Sequence, residues 1–99
     1  MKDTLITITG LNFRFGSDFL KKGMKVKLVK EPENEFDKEA IRVELKGLGT
    51  IGYVANSTKT VVGESISAGR LYDRIGRKAK AKVMIKLDNA VICKVLDKR

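Results

Sequence analysis

Carboxylates are concentrated in one short part of the chain, and they limit the chemistry that it could perform. Residues 31–44 contain half of all the acidic residues, namely Glu31, Glu33, Glu35, Asp37, Glu39 and Glu44. Acids on alternate positions of one loop point apart, whereas a Mg²⁺ site needs several carboxylates converging from fixed elements. A metal-dependent nuclease is therefore a weak hypothesis. The same loop holds a proline, an asparagine and an aromatic residue in addition to its acids. It is also longer than an ordinary hairpin turn, which indicates a shaped loop.

The composition argues against several classes of enzyme. The chain has no histidine and one cysteine, Cys93, so Ser-His and Cys-His catalytic pairs are impossible. A zinc site within one chain and an intramolecular disulfide are disfavoured for the same reason, and a single cysteine fits a reducing cytoplasm. We find no phosphate-binding glycine motif, no signal peptide and no apolar run that could span a bilayer. We therefore expect no catalytic residue, no cofactor, no metal, no membrane partner and a cytoplasmic location.

A basic stripe in the second half of the chain is the clearest electrostatic feature. The formal net charge is +9, and residues 70–86 carry a single acid, Asp73. The candidate phosphate contacts in this stripe are Arg70, Arg74, Arg77, Lys78, Lys80 and Lys82. Clustered lysine and arginine of this kind suit a polyanion such as nucleic acid. The alternative is the solvated outer face of a strand, because many small basic proteins bind nothing specific.

Period-two alternation predicts a mainly β protein. The predicted strands cover residues 4–9, 25–30, 40–46, 50–54, 78–87 and 91–96. The longest alternation puts five apolar side chains on one face of the fifth strand: Ala79, Ala81, Val83, Ile85 and Leu87. Lysines occupy most of the opposite face.

One helix is predicted between the fourth and fifth strands. Asn56 or Ser57 could cap it, Val62 and Ile66 would face the core, and Gly69 would end it. A further turn over residues 71–75 could follow. Six short strands and one helix indicate a single α+β domain over residues 1–99, a small curled sheet or barrel near the lower size limit for an independent core.

The acidic loop and the strands beside it resemble the HIRAN domain family. The family's Glu-Pro-x-Asn-x-aromatic-Asp-x-x-Ala-Ile-x-Val and Ile-Gly-Tyr elements correspond here to Glu31, Pro32, Asn34, Phe36, Asp37, Ala40, Ile41, Val43, Ile51, Gly52 and Tyr53. Residues 10–16 are similar to its upstream Gly-x-x-aromatic element. The resemblance implies an OB-like or SH3-like β-barrel with a helix. It also implies single-stranded DNA as the ligand with a preference for free 3′ ends, which is known for helicase-fused members.

The resemblance further implies a pocket for the DNA end, lined by Phe13, Phe36 and Tyr53 beside Asp37. An exposed ring stacks on a nucleobase for about 1–3 kcal/mol, although each ring could instead fill the core. A carboxylate can accept a hydrogen bond from a 3′ hydroxyl and would repel a phosphate placed there. Alternatively, Asp37 caps the turn over residues 38–40. Asn34 is expected to shape the loop by bonding to its own backbone.

Residues around these rings complete the predicted DNA-binding set. Asn12 and Arg14 flank Phe13, and Arg14 could neutralise a phosphate, with Arg42 as a weaker candidate. Asn12 stands where family members often have arginine, and residues 55–56 stand where helicase-fused members have lysine. Two phosphate contacts expected from those members are therefore absent.

The sequence thus predicts a non-catalytic module that binds single-stranded DNA, with RNA left open as a ligand. The alternative is a protein-interaction module that recruits a separately encoded helicase or nuclease. Salt dependence separates the two hypotheses, because phosphate contacts give binding a steep dependence on salt.

Overall fold

The strands predicted from alternation are present in the computed structural model, which describes residues 4–10, 20–56, 65–87 and 90–96. The strands are β1 (Leu5–Thr9), β2 (Lys25–Lys30), β3 (Ile41–Leu45), β4 (Gly49–Val54), β5 (Lys78–Lys86) and β6 (Val91–Val95). The short helix α1 (Ala68–Tyr72) lies between β4 and β5. Each strand agrees with its predicted range to within one residue at either end.

The six strands close into a barrel. Their order around it is β1-β4-β3-β2-β5-β6, and every neighbouring pair is antiparallel. The barrel closes because β1 pairs with both β4 and β6, which satisfies the backbone groups that an open sheet would leave at its edges. The predicted fold class, a six-stranded OB-like barrel with one helix between the fourth and fifth strands, is confirmed.

Branched aliphatic side chains from every strand fill the interior. Successive residues of a strand face opposite sides, so alternate residues meet inside the barrel. The most deeply buried of them are Ile6, Ile8, Leu28, Ile41, Val43, Ile51, Val83 and Val91, together with Leu71 from α1. This core fixes the strand register, and the register in turn fixes which side chains reach the outer surface.

The predicted burial of Ile85 and Leu87 is wrong. These side chains are 55% and 40% exposed. The pairing of β5 with β6 shifts after Val83, so that Val83 opposes Cys93 and Ile85 opposes Ile92. A bulge of this kind inserts one extra residue, which reverses the inward and outward alternation beyond it. The strict period of two therefore ends at Val83.

The helix differs from its predicted range. Ile66 forms an isolated parallel bridge with Ile6, and its N–H donates to the Leu5 carbonyl at 2.8 Å, so it lies against β1 as extended chain. The helix begins only after Ser67, whose hydroxyl accepts a hydrogen bond from the Arg70 N–H at 3.3 Å. Gly69 lies inside the helix rather than ending it. Residues 57–64, including the predicted core residue Val62, lie outside the described residues.

No helix in the described part of the chain has the length and hydrophobicity needed to cross a bilayer.

Because of the bulge, we expect truncation of Ile51 and truncation of Ile85 to have different effects on stability. Ile51→Ala should lower the free energy of unfolding by about 2–5 kcal/mol, since Ile51 is fully buried. Ile85→Ala should change it by only about 0.5 kcal/mol, as is usual for surface sites. Urea unfolding of both variants measures the difference. Equal losses would place Ile85 in the core, as uninterrupted alternation requires.

Candidate nucleic-acid interface

The loop between β2 and β3 is held in shape by its own backbone. The Glu31 N–H donates to the Ala40 carbonyl at 2.9 Å and closes the loop at its base. Within it, the Asn34 N–H donates to the Glu31 carbonyl at 3.0 Å, and the Ala40 N–H donates to the Asp37 carbonyl at 3.1 Å. These bonds make residues 31–40 a structured turn rather than an open connection.

Asn34 organises the tip of this loop. Its side-chain Oδ1 accepts hydrogen bonds from the backbone N–H groups of Phe36 at 2.8 Å and Asp37 at 2.9 Å. Its Nδ2 donates to Glu31 Oε1 at 2.9 Å. The side chain therefore satisfies donors that would otherwise need water, which confirms the predicted loop-shaping role of Asn34.

The carboxylate of Glu31 joins the loop to two strands. It accepts a hydrogen bond from Arg42 Nη1 on β3 at 3.2 Å, and the Tyr53 hydroxyl on β4 lies 3.1 and 3.2 Å from its two oxygens. Arg42 and Tyr53 are direct register partners, so both reach the carboxylate from the same row of the barrel. Arg42 also donates from Nε to Glu44 Oε2 at 2.6 Å. The guanidinium is thus shared between two acids, and its charge is compensated within the site.

These contacts determine the acidity of Glu31. Partial burial alone would raise the pKa of the carboxyl group, because burial disfavours the charged form. Hydrogen bonds from Asn34, Arg42 and Tyr53, together with the positive charge of Arg42, outweigh this effect and hold the pKa below the ordinary value of 4.5. The network is therefore strongest when Glu31 is ionised.

Asp37 is anchored from two directions. Its Oδ1 accepts the Glu39 N–H at 2.9 Å, so the predicted capping of the turn over residues 38–40 is confirmed. Its Oδ2 accepts a hydrogen bond from Asn56 Nδ2 at 3.0 Å. Asn56 Oδ1 in turn accepts the Gly69 N–H at 2.7 Å, in the first turn of α1. Asn56 therefore connects the loop to the helix, a contact that sequence reasoning missed because it spans distant segments.

The helix and the loop approach each other closely at Gly69. A Cβ at this position would lie 2.5 Å from Glu39 Oε1 and 3.2 Å from Asn56 Oδ1. A larger residue would displace the Glu39 side chain and crowd the hydrogen bond between Asn56 and Gly69. Glycine avoids this crowding, although it lowers helix stability relative to alanine.

The predicted site residues fall into three groups. Phe36 is 96% exposed, so it does not belong to the core, whereas Asp37 and Tyr53 are half-buried. The loop network links these three residues through Asn34 and Glu31. The second group is Asn12, Phe13 and Arg14, which lie outside the described residues. The third group is the basic stripe.

The basic stripe divides into two parts in the structure. Arg70 lies on α1, while Arg74 and Arg77 lie in the segment that leads to β5, and all three are exposed. Lys78 and Lys80 are exposed and Lys82 is half-buried, and all three belong to β5. The arginines therefore follow the helix that Asn56 ties to the loop, whereas the lysines belong to the barrel wall.

Two further observations concern the metal-binding and thiol side chains of the described residues. Residues 4–10, 20–56, 65–87 and 90–96 contain no group of three or more histidine, cysteine or acidic side chains that could hold a metal. Burial raises the pKa of the Cys93 thiol to about 12. A buried thiol of this kind is protonated and unreactive at neutral pH.

The Glu31 network predicts a specific loss of stability in acid. A carboxylate whose pKa is lower in the folded state than in the unfolded state stabilises the fold above its unfolded pKa. That stabilisation disappears as the pH falls through its folded pKa, here below 4.5. We expect Glu31→Gln to flatten the decrease in the free energy of unfolding below pH 4.5. Glu33→Gln, a change at an exposed acid of the same loop, is the control, and denaturant unfolding at several pH values is the measurement. Identical profiles for the two variants would contradict this role of Glu31.

Comparisons with known proteins agree with the barrel and the loop. The family model of the HIRAN domain matches residues 1–96. The crystal structure of the HIRAN domain of human HLTF is similar, with a TM-score of 0.63 and 17% sequence identity over 94% of this chain and 72% of that chain. At this identity the likeness concerns the fold alone. The search of curated proteins found no match. Because the family model spans nearly the whole sequence, the chain belongs to the HIRAN domain family.

Proposed function

We propose that this chain is a non-catalytic module that binds single-stranded DNA at a free 3′ end. HIRAN domains are known as DNA-binding modules, which supports the ligand class. The observation that carries the proposal is the loop of residues 31–40. It holds a fully exposed aromatic ring next to an anchored carboxylate on a hydrogen-bonded frame.

Phe36 is well suited to stacking. A ring that is 96% exposed contributes little to the core, while its backbone N–H is held by Asn34 at 2.8 Å. A nucleobase that stacks on it would cover apolar surface at little cost in backbone ordering. Tyr53 offers a second, half-buried ring whose hydroxyl is fixed by Glu31. By the family resemblance, Phe13 completes the pocket, flanked by Asn12 and Arg14.

Asp37 could distinguish the 3′ end of a DNA strand from an interior position of the strand. A carboxylate has about four acceptor sites, and two of those of Asp37 are used by the Glu39 N–H and Asn56. The remaining sites can accept a hydrogen bond from a 3′ hydroxyl, whereas a phosphate at that point would be repelled. Arg70, Arg74 and Arg77 are proposed to contact phosphates beyond the helix, because their side chains are exposed.

The acidity of the loop favours a second candidate function. Glu33, Glu35 and Glu39 are exposed around Phe36, and an aromatic residue surrounded by acids fits a basic protein surface. In this case the module would recruit a separately encoded helicase or nuclease. Binding of oligonucleotides with a steep salt dependence would favour DNA, and its absence would favour the protein partner.

Removing the exposed ring should reduce DNA affinity without loss of stability. Phe36→Ala should weaken binding to a single-stranded oligonucleotide by about 1–3 kcal/mol, which is the value of one stacked base. Its melting temperature should be unchanged, since the ring is 96% exposed. Leu48→Ala, at the tip of the β3–β4 turn, is the control at another exposed apolar residue. Fluorescence anisotropy and a thermal melt provide the two measurements. Unchanged affinity would remove Phe36 from the interface.

Changing the carboxylate should affect end preference more than affinity. We expect Asp37→Asn to reduce the preference for a 3′ hydroxyl over a 3′ phosphate, because the amide lacks the charge that repels phosphate. Asp73→Asn, at the exposed C-cap of α1, is the control. Anisotropy titrations with free and 3′-phosphorylated oligonucleotides test the expectation. Equal binding of both ends by the unmutated protein would rule out end recognition.

A further inference from the structure

Strands β2 and β5 place lysines directly opposite one another on the outer surface of the barrel. Lys25 is the register partner of Lys82, and Lys27 is the partner of Lys80. Lys78 continues the row on β5. All of these side chains are exposed except Lys82, which is half-buried, while the alternate residues of both strands face the core. We call these five residues the lysine ladder.

No acid among the described residues forms an ion pair with a member of the lysine ladder. Both ion pairs found among the described residues are made by Arg42. Glu44 on β3 is the register partner of Lys27, and its negative charge is shared with Arg42, whose Nε donates to Glu44 Oε2 at 2.6 Å. Like charges directly opposite in a sheet are destabilising, so the fold carries a cost at these pairs. A bound polyanion would remove that cost.

The surface along the lysine ladder is concave. Two depressions, of about 410 and 540 Å³, are both lined by Lys27 and Lys80. The first has an apolar part formed by Ala79 and Leu96. The second extends past Lys25 towards the β3–β4 turn. We call the two depressions together the groove; lysines from both strands line it, and Glu44 contributes a carboxylate to the second depression.

The spacing of the lysine ladder fits an extended backbone. Alternate residues of a strand are about 6.6 Å apart, and neighbouring strands are about 4.8 Å apart. A phosphodiester chain that follows the groove would therefore meet repeated pairs of lysines, with two positive charges close to each phosphate. A single strand matches this narrow double row better than a broad anionic surface does.

One register row of the barrel joins the groove to the loop site, and its residue on β2, Val29, is buried. Tyr53, Arg42, Val29 and Lys78 are successive register partners across β4, β3, β2 and β5. Three strand spacings separate Tyr53 from Lys78, a distance of about 14 Å around the barrel. This distance corresponds to a few nucleotides of an extended strand.

We propose that the lysine ladder binds the sugar-phosphate backbone of a nucleic-acid single strand a few nucleotides from the end held at the loop. The inference extends the proposed function, but it rests on different residues. The loop selects the end, and the lysine ladder provides affinity that grows with the length of the strand. Lys25 and Lys27 are assigned to the interface because they face Lys82 and Lys80 in the groove.

The test compares oligothymidylates of four and sixteen nucleotides. The variant Lys25→Gln/Lys27→Gln/Lys80→Gln is matched to a control with the same change in charge, Lys21→Gln/Lys22→Gln/Lys86→Gln, whose residues are exposed and line neither depression. For the longer strand, the salt slope of the first variant should fall by about two units, at roughly 0.7 per lost contact. Its affinity for the four-nucleotide strand should fall less, because only the last of that strand's three phosphates would reach the lysine ladder. Removal of like-charge pairs should leave its melting temperature equal or higher.

Each other outcome contradicts the proposal. An equal effect of the control variant would indicate attraction by net charge alone, and no effect would make the lysine ladder a solvated face. An equal loss for both strand lengths would place the lysines in the end site. Loss of binding to phosphatidylserine vesicles with unchanged oligonucleotide binding would assign the lysines to a lipid surface. Failure of end recognition appears separately, as equal binding of free and blocked four-nucleotide strands by the unmutated protein.

Discussion

The candidate site depends on the hydrogen bonds that the carboxylate of Glu31 accepts. It lies just after β2 and accepts hydrogen bonds from Arg42 on β3, Tyr53 on β4 and Asn34 in the loop. Asn34 then holds the backbone at Phe36 and Asp37. A single partly buried charge therefore connects the barrel register to the shape of the loop tip. Neutralising it would remove the charge that attracts Arg42 and would turn one of its two acceptor oxygens into a donor, so the three donors would compete for the remaining oxygen.

Asn56 anchors the loop at a second point. This anchor helps to fix the backbone that carries the exposed ring of Phe36. The side chain of Glu31 and the backbone bond between Glu31 and Ala40 hold the base of the loop. The bond from Asn56 to Asp37, at 3.0 Å, joins the far side of the loop to the first turn of α1. Ordering is thus completed during folding and does not have to occur on binding, which favours affinity. The close approach at Gly69 follows from the same connection.

The sequence predicts those features that depend on local chemistry and misses those that depend on barrel closure. The strands follow from alternation, and the loop follows from the bonds of Asn34 and from the bond between Asp37 and Glu39, whose partners are close in sequence. The bulge after Val83 does not follow, because only pairing with β6 reveals it. The contact from Asn56 to Gly69 and the pairing of Lys25 with Lys82 are equally hidden. Each of these two contacts can be predicted only when the relative positions of elements that are distant along the chain are known.

The distribution of charge favours a strand end at the loop. The loop exposes Glu33, Glu35 and Glu39, which repel phosphate locally, whereas the net charge of +9 attracts a polyanion over the whole molecule. Lys78, one member of the lysine ladder, lies three strand spacings from Tyr53, about 14 Å around the barrel. Under the proposed function, the loop and the lysine ladder would therefore act on different parts of the ligand. An interior stretch of the strand would bring more phosphates to the exposed acids than a terminal hydroxyl would, so local repulsion and distant attraction would together favour an end at the loop.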